Sequence, residues 1–203
     1  MSITDQESRR ISDAVRAAEA KTSAEIVCVL ARSSSDATAL PVLFAAIAAL
    51  ALPWLLVAFT AMPVLRILAL QIILFVVSLL VLWVPRVRAA LIPRRARRRM
   101  AYRAAMDQFT SRGISRKKDR SGILIFVSLA ERYARIVADD AITARVPQST
   151  WQAAIDALIA HARQDRIADG FLAAINLCEK ELAKHFPAKG PKEQELPDRI
   201  YLV

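Results

Sequence analysis

The chain has 203 residues, 29 Lys and Arg against 19 Asp and Glu, a net charge of +10 and 55% hydrophobic content. That balance fits one small soluble domain plus two membrane spans. The two cysteines, Cys28 and Cys178, lie far apart in apolar settings; they exclude a disulfide framework and a metal spacing, and read as buried thiols of a reducing compartment.

Met1 to Arg10 is polar and the apolar run begins too late for a signal peptide. Thr4-Asp5-Gln6-Glu7 reads as a capping box, and Ile11, Ala14, Val15 and Ala18 share one face of the helix it opens. That helix gives out near Lys21-Thr22-Ser23. Glu25 to Leu30 is short, branched and almost wholly apolar, as in a strand buried on both faces. A polar loop, Arg32 to Asp36, follows.

From Ala37 to Pro85 Arg66 is the one charge. Ala39 to Pro63 and Ile67 to Val84 are each long enough as helices to cross a hydrocarbon core of about 30 Å. Pro41 suits a first turn, Pro53 falls mid-span where it should kink the helix, and Pro63 suits an end. A short joining segment around Pro63 and Arg66 predicts an antiparallel hairpin, with Ala45, Ala48, Ala49 and Ala51 allowing close approach. Beyond it come Arg86, Arg88, Arg94, Arg95, Arg97, Arg98, Arg99 and Arg103, so the positive-inside rule puts both termini in the cytosol, with Trp83 an interfacial anchor. Tyr102 is the one aromatic among these arginines, which argues against nucleic acid. Arg86, Arg88, Arg94, Arg95, Arg97, Arg98 and Arg99 are read as contacts to anionic lipid head groups.

After Pro93, Arg94 to Gln108 predicts one helix with Ala101, Ala104, Ala105 and Phe109 on its apolar side, ended by Gly113. A charged loop spans Arg116 to Arg120. Gly122 to Leu129 is a second buried strand, Ala130 to Arg132 a turn, and Tyr133 to Ala138 a third strand paired back on the second. Ser149 with Gln152 predicts a capping box for a helix with Trp151, Ile155, Leu158, Ile159 and Ala162 inward. Asp169-Gly170 starts a last helix with Leu172, Ile175, Leu182 and Phe186 inward, stopped by Pro187. The tail to Pro197 is polar; Ile200 to Val203 is apolar enough to dock.

The first two strands, joined by a helical crossover, should lie parallel with a right-handed connection. The fold class is therefore α/β with a small mixed sheet, interrupted by a transmembrane helical hairpin. The divisions are 1–36 (first part of the domain), 37–85 (hairpin), 86–99 (basic stem), 100–187 (second part) and 188–203 (tail).

Ala14-Val15 with Glu19, Thr22 to Ile26, and Arg120 to Arg132 resemble the opening and the central strand and turn of the TPM domain family. Ile136 to Asp139, Trp151, Gly170 to Ile175 and His185-Phe186-Pro187 follow in that family's order. The chain resembles its short bacterial branch, in which a two-helix hairpin splits the domain. The resemblance implies an α/β/α sandwich; many relatives face a lumen or periplasm, whereas the arginine flanks here place the domain at the inner face of a bacterial cytoplasmic membrane. For activity it implies two alternatives, an accessory or assembly module and a divalent-metal-dependent phosphatase, since relatives are described as acid phosphatases and some bind calcium. Asp140-Ala141 stands where the family has a basic residue and glycine.

No Walker loop, G-x-S-x-G, H-E-x-x-H or C-x-x-C is present, and His161 and His185 lack partners at ligand spacing. The catalytic candidates are Asp139, Glu131 and Asp140. Those for a divalent cation such as calcium are Asp139, Asp140 and Asp119, hard oxygen ligands expected to gather at strand ends and loops. A solvated turn is the plainer reading: Asp139 and Asp140, as strand neighbours, would point to opposite faces. The preferred reading is a binding module presenting the loops Arg116–Arg120 and Glu131–Arg132 to another membrane protein.

Overall fold

The computed structural model describes residues 3–33, 39–84, 93–114, 121–188 and 199–203, with no side-chain description at 39–41, 83 and 148. Asp119, Arg86, Arg88, the rest of the Arg116–Arg120 loop, the polar tail and the side chain of Trp83 lie outside the described residues. The chain forms two compact units, one of Met1–Ser34 with Arg98–Val203 and one of Ser35–Arg97.

The first unit is built on four strands in the order β3-β2-β1-β4: β1 Glu25–Ala31, β2 Gly122–Ser128, β3 Tyr133–Ala138 and β4 Ile200–Leu202. β1 and β2 are parallel with Glu25 opposite Gly122, and β3 runs antiparallel to β2 with Ala138 opposite Ile123. β4 adds to the far side of β1, parallel, with Cys28 opposite Ile200. Every residue of β1 and β2 is buried, as their unbroken apolar runs require in strands covered on both faces. The docking of Ile200 to Leu202 makes β1 an interior strand and leaves β3 and β4 as the edges.

Alternation sorts the strand side chains between two cores. Ile26, Cys28, Leu30, Ile123, Ile125 and Val127 pack with α1 (Asp5–Glu19), α6 (Gln148–Ala162) and α7 (Ile167–His185). Val27, Val29, Leu124 and Phe126 pack on the other face with Ala105 and Phe109 of α4 (Arg94–Ser111) and with Ile114. The architecture is an α/β/α sandwich around a small mixed sheet.

The capping box of α1 forms as the sequence predicts: the Glu7 amide donates to Thr4 Oγ1 at 3.3 Å, and the Thr4 amide donates to Glu7 Oε2 at 2.8 Å. Ile11, Val15 and Ala18 are buried and Ala14 is half-buried. Gly113 ends α4 at φ 74°, a left-handed conformation that glycine adopts without a Cβ penalty. That turn seats Ile114 over Gly122, where a Cβ would run into the Ile114 side chain.

Other helix starts differ from expectation. α6 begins at Gln148 directly after Pro147, with no side-chain cap. The proline presets the backbone there, leaving Ser149 exposed and Gln152 paired with Asp156 at 2.9 Å instead of closing a capping box. α7 begins two residues before Asp169, so Ile167, Ala168 and Phe171 join Ile175, Cys178 and Leu182 in the core. A short helix that the sequence did not suggest, α5 (Asp140–Thr143), follows β3 at once.

The second unit holds α2 (Ala39–Phe59) and α3 (Val64–Trp83), an apolar pair packed on each other. α2 continues through Pro53 and ends four residues before Pro63. Pro63 occupies the N-cap position of α3, so Arg66 lies in that helix's first turn and not in the joining segment. Proline cannot supply a helical N–H, but the following residues are free to start a helix. Of the alanines expected at the helix contact, Ala45 and Ala49 are buried, one turn apart, whereas Ala48 and Ala51 are exposed. Val42–Phe59 and Val64–Leu82 are long and apolar enough to cross a membrane.

Candidate functional site

The polar groups of the sheet collect at its two ends. At the amino ends of β1 and β2 lie Glu25, Ser121 and Asp139, all buried. The Glu25 amide donates to the Ser121 carbonyl at 3.0 Å, and Ser121 Oγ donates to the Ser23 carbonyl at 3.4 Å. The Asp139 amide donates to the Gly122 carbonyl at 3.0 Å and closes the β2–β3 ladder.

Asp139 is therefore not a strand residue. It is the N-cap of α5: its Oδ1 accepts from the Asp140 amide at 2.8 Å, and its carbonyl accepts the Ile142 and Thr143 amides. The strand-neighbour argument for Asp139 and Asp140 thus does not apply; one carboxylate is buried and the next, on α5, is exposed. Among the described residues Asp139 Oδ2 is buried without a hydrogen-bond partner. Burying such an oxygen unpaired is costly, which makes this the polar feature of the amino end most in need of a counterpart.

Glu131 lies at the opposite end. It follows β2 in the turn to β3, where Arg132 adopts φ 48° and its amide donates to the Leu129 carbonyl at 3.2 Å. Glu131 is buried, not exposed as the sequence reading had it; it accepts from the Ser128 hydroxyl and, at 3.2 Å, from the Ser33 hydroxyl. It ties the carboxyl ends of β1 and β2 together. The strand between Glu131 and Asp139 is six residues long, about 20 Å at the usual rise. The expected gathering of Glu131 with Asp139 and Asp140 does not occur.

Among the described residues no group of three His, Cys, Asp or Glu side chains is placed to hold a metal ion. Calcium takes about six to eight oxygens. Asp139 and Asp140 do not by themselves make such a shell, and Asp119 lies outside the described residues. Sequence reasoning missed Glu25 and Glu19. Glu19 Oε1 accepts the Ile26 amide at 2.7 Å and links the end of α1 to β1. The signal available was a charged residue heading an otherwise apolar strand.

The histidines fit structural roles. His161 Nδ1 lies 2.9 Å from the Ala157 carbonyl of its own helix, and His185 Nε2 lies 3.7 Å from Glu181. Burial pushes the Cys178 thiol up to about 12, and burial first, then Cys178 and Glu19, raises Cys28. Neither thiol is poised as a nucleophile.

Comparison with known proteins agrees with this architecture. The NMR structure of the BA42 protein from the psychrophilic bacterium Bizionia argentinensis superposes at a TM-score of 0.63 with 21% identity, covering 100% of this chain and 97% of that one. At that identity the likeness is one of fold. No curated protein matches the chain. The family model for the TPM domain matches residues 78–181, from the last turn of α3 through most of α7. With its sheet order, its hairpin turn at Glu131 and the match over half its length, the chain belongs to the TPM domain family.

Proposed function

We propose that this protein is a membrane-tethered binding or assembly module at the inner face of a bacterial cytoplasmic membrane, held by α2 and α3 with both termini in the cytosol. The observation that carries the reading is the outer surface of the helix pair. Trp54, Phe59 and Leu65 are 81%, 83% and 79% exposed, among a continuous set of exposed leucines, isoleucines and valines. Water solvates such a surface poorly, whereas lipid tails cover it at no cost. The commitment of Glu131 to two serines supports a binding role for the α/β unit, because that carboxylate braces the sheet. Arg132, exposed beside it, is free to select a partner by charge.

The partner in this reading is another protein of the same membrane. Affinity purification of the full chain after mild crosslinking should recover a stoichiometric membrane protein. A chain that returns alone under conditions preserving known membrane complexes would count against it.

One observation favours a second reading, a divalent-metal-dependent phosphatase: the unpaired Oδ2 of Asp139. Release of phosphate by the purified chain, dependent on divalent cation and lost in Asp139→Asn with the fold intact, would establish it. Equal release by wild type and variant would point to contamination.

A further inference from the structure

The topology gives the α/β unit a basic pole. The chain leaves the sheet after β1, at Ala31, and returns through α4, which as the crossover helix runs antiparallel to β1 and β2. The arginine-rich start of α4 therefore lies at the carboxyl ends of those strands. Arg135 of β3 fixes the level: its guanidinium sits 4.7 Å from the Tyr102 ring. The helix extends four residues from Tyr102 back to Arg98, about 6 Å toward the strand ends.

Arg98 and Arg99 on α4, Arg132 in the β2–β3 turn and Arg32 after β1 are exposed, and the topology puts them at this pole. Glu131, among them, is buried and accepts from Ser128 and Ser33. The first turn of α4 carries no acid either. Arg95 with Arg99, and Arg99 with Arg103, are like charges four apart, an arrangement that costs an isolated helix stability. The layer on the opposite face of the sheet is different: there Arg10 pairs with Asp169 at 3.2 Å, and Arg163 and Arg166 flank Asp165.

We infer that this pole, formed by Arg32, Arg98, Arg99 and Arg132, is a docking surface for the phosphate groups of an anionic lipid bilayer. The inference rests on the membrane-tether reading and adds a second, electrostatic contact to it. Charge complementarity favours a lipid surface, and in the sequence the apolar pair α2 and α3 lies between Arg32 and Arg98. Guanidinium groups suit phosphate because they are planar, permanently charged donors.

The test uses the full chain reconstituted in phosphatidylcholine bilayers with and without phosphatidylglycerol, followed by phenylglyoxal modification of arginines read residue by residue. Phosphatidylglycerol should slow modification of these four arginines about fivefold, the factor that ~1 kcal/mol per basic residue corresponds to. High salt should abolish the protection, and Arg163 and Arg166 should be unaffected. In an Arg98→Gln/Arg99→Gln variant the protection of Arg132 and Arg32 should fall. Equal rates in the two bilayers would overturn the inference while leaving the tether intact. So would protection in pure phosphatidylcholine by glycerol phosphate or by an oligonucleotide that matches or exceeds that of the lipid. A chain that fails to float with either vesicle would overturn tether and docking surface together.

Discussion

Of the buried carboxylates at the sheet ends, Glu131 and Asp139 differ in how they are satisfied. Glu131 satisfies Ser128, which is itself buried. Glu131→Ala would leave that hydroxyl without its acceptor and should destabilise the α/β unit by about 1–3 kcal/mol in denaturant unfolding. Asp139 differs, since Oδ1 caps α5 and Oδ2 is unpaired. Asp139→Asn keeps the cap acceptor and should change stability by less than about 0.5 kcal/mol, whereas Asp139→Ala should cost about 1 kcal/mol. A calcium-dependent rise in melting temperature, present in wild type and absent in Asp139→Asn, would move the account toward the phosphatase reading. At the start of α1, Glu7 is held below its ordinary value by the Thr4 amide and then the Thr4 hydroxyl. A carboxyl with a lowered folded value contributes stability above its unfolded value and loses it as pH falls through the folded one. Exposure keeps the effect small, so acidification should fray α1 before the sheet, as amide exchange would show.

At the level of elements, the places where sequence and structure agree are those set by period and local chemistry. The three longer strands, their pairing and the capping box at Thr4 are of this kind. The short α5 and the start of α6 at Gln148 were not legible, because each depends on a single backbone event: Asp139 closing a sheet ladder, Pro147 presetting a turn. The burial of Glu131 was equally hidden, since Ser33, one of its partners, lies 98 residues away in the chain. The α6–α7 contact depends on Gly170, where a Cβ would lie 2.9 Å from the Leu158 carbonyl oxygen and 3.4 Å from His161 Cβ. Backbone cannot yield as a flexible side chain does, so Gly170→Ala should cost about 1–3 kcal/mol. Unchanged stability would mean that the two helices slide apart freely. The thiols of Cys28 and Cys178 report the same core from inside. At pH 8 only about one Cys178 in ten thousand is ionised when its value is near 12. Alkylation of both should therefore wait for global unfolding, and fast labelling of the folded chain would contradict the packing of β1 against α7.

For the whole molecule, two kinds of surface argue for one location. The α2–α3 pair exposes large apolar side chains over both helices, and the α/β unit exposes arginines at the pole where its chain departs and returns. In the proposed reading the tether would hold the sheet and its loops at a membrane surface, within reach of a partner in the same membrane. The most direct measurement is alkaline carbonate extraction of membranes from cells expressing the full chain, beside a variant with Leu55, Val57, Ile72 and Ile73 replaced by Asp. The account predicts that the wild-type chain stays in the membrane pellet, as an integral protein does, and that the variant leaves it. A wild-type chain released quantitatively into the carbonate supernatant, folded and monodisperse, would contradict it.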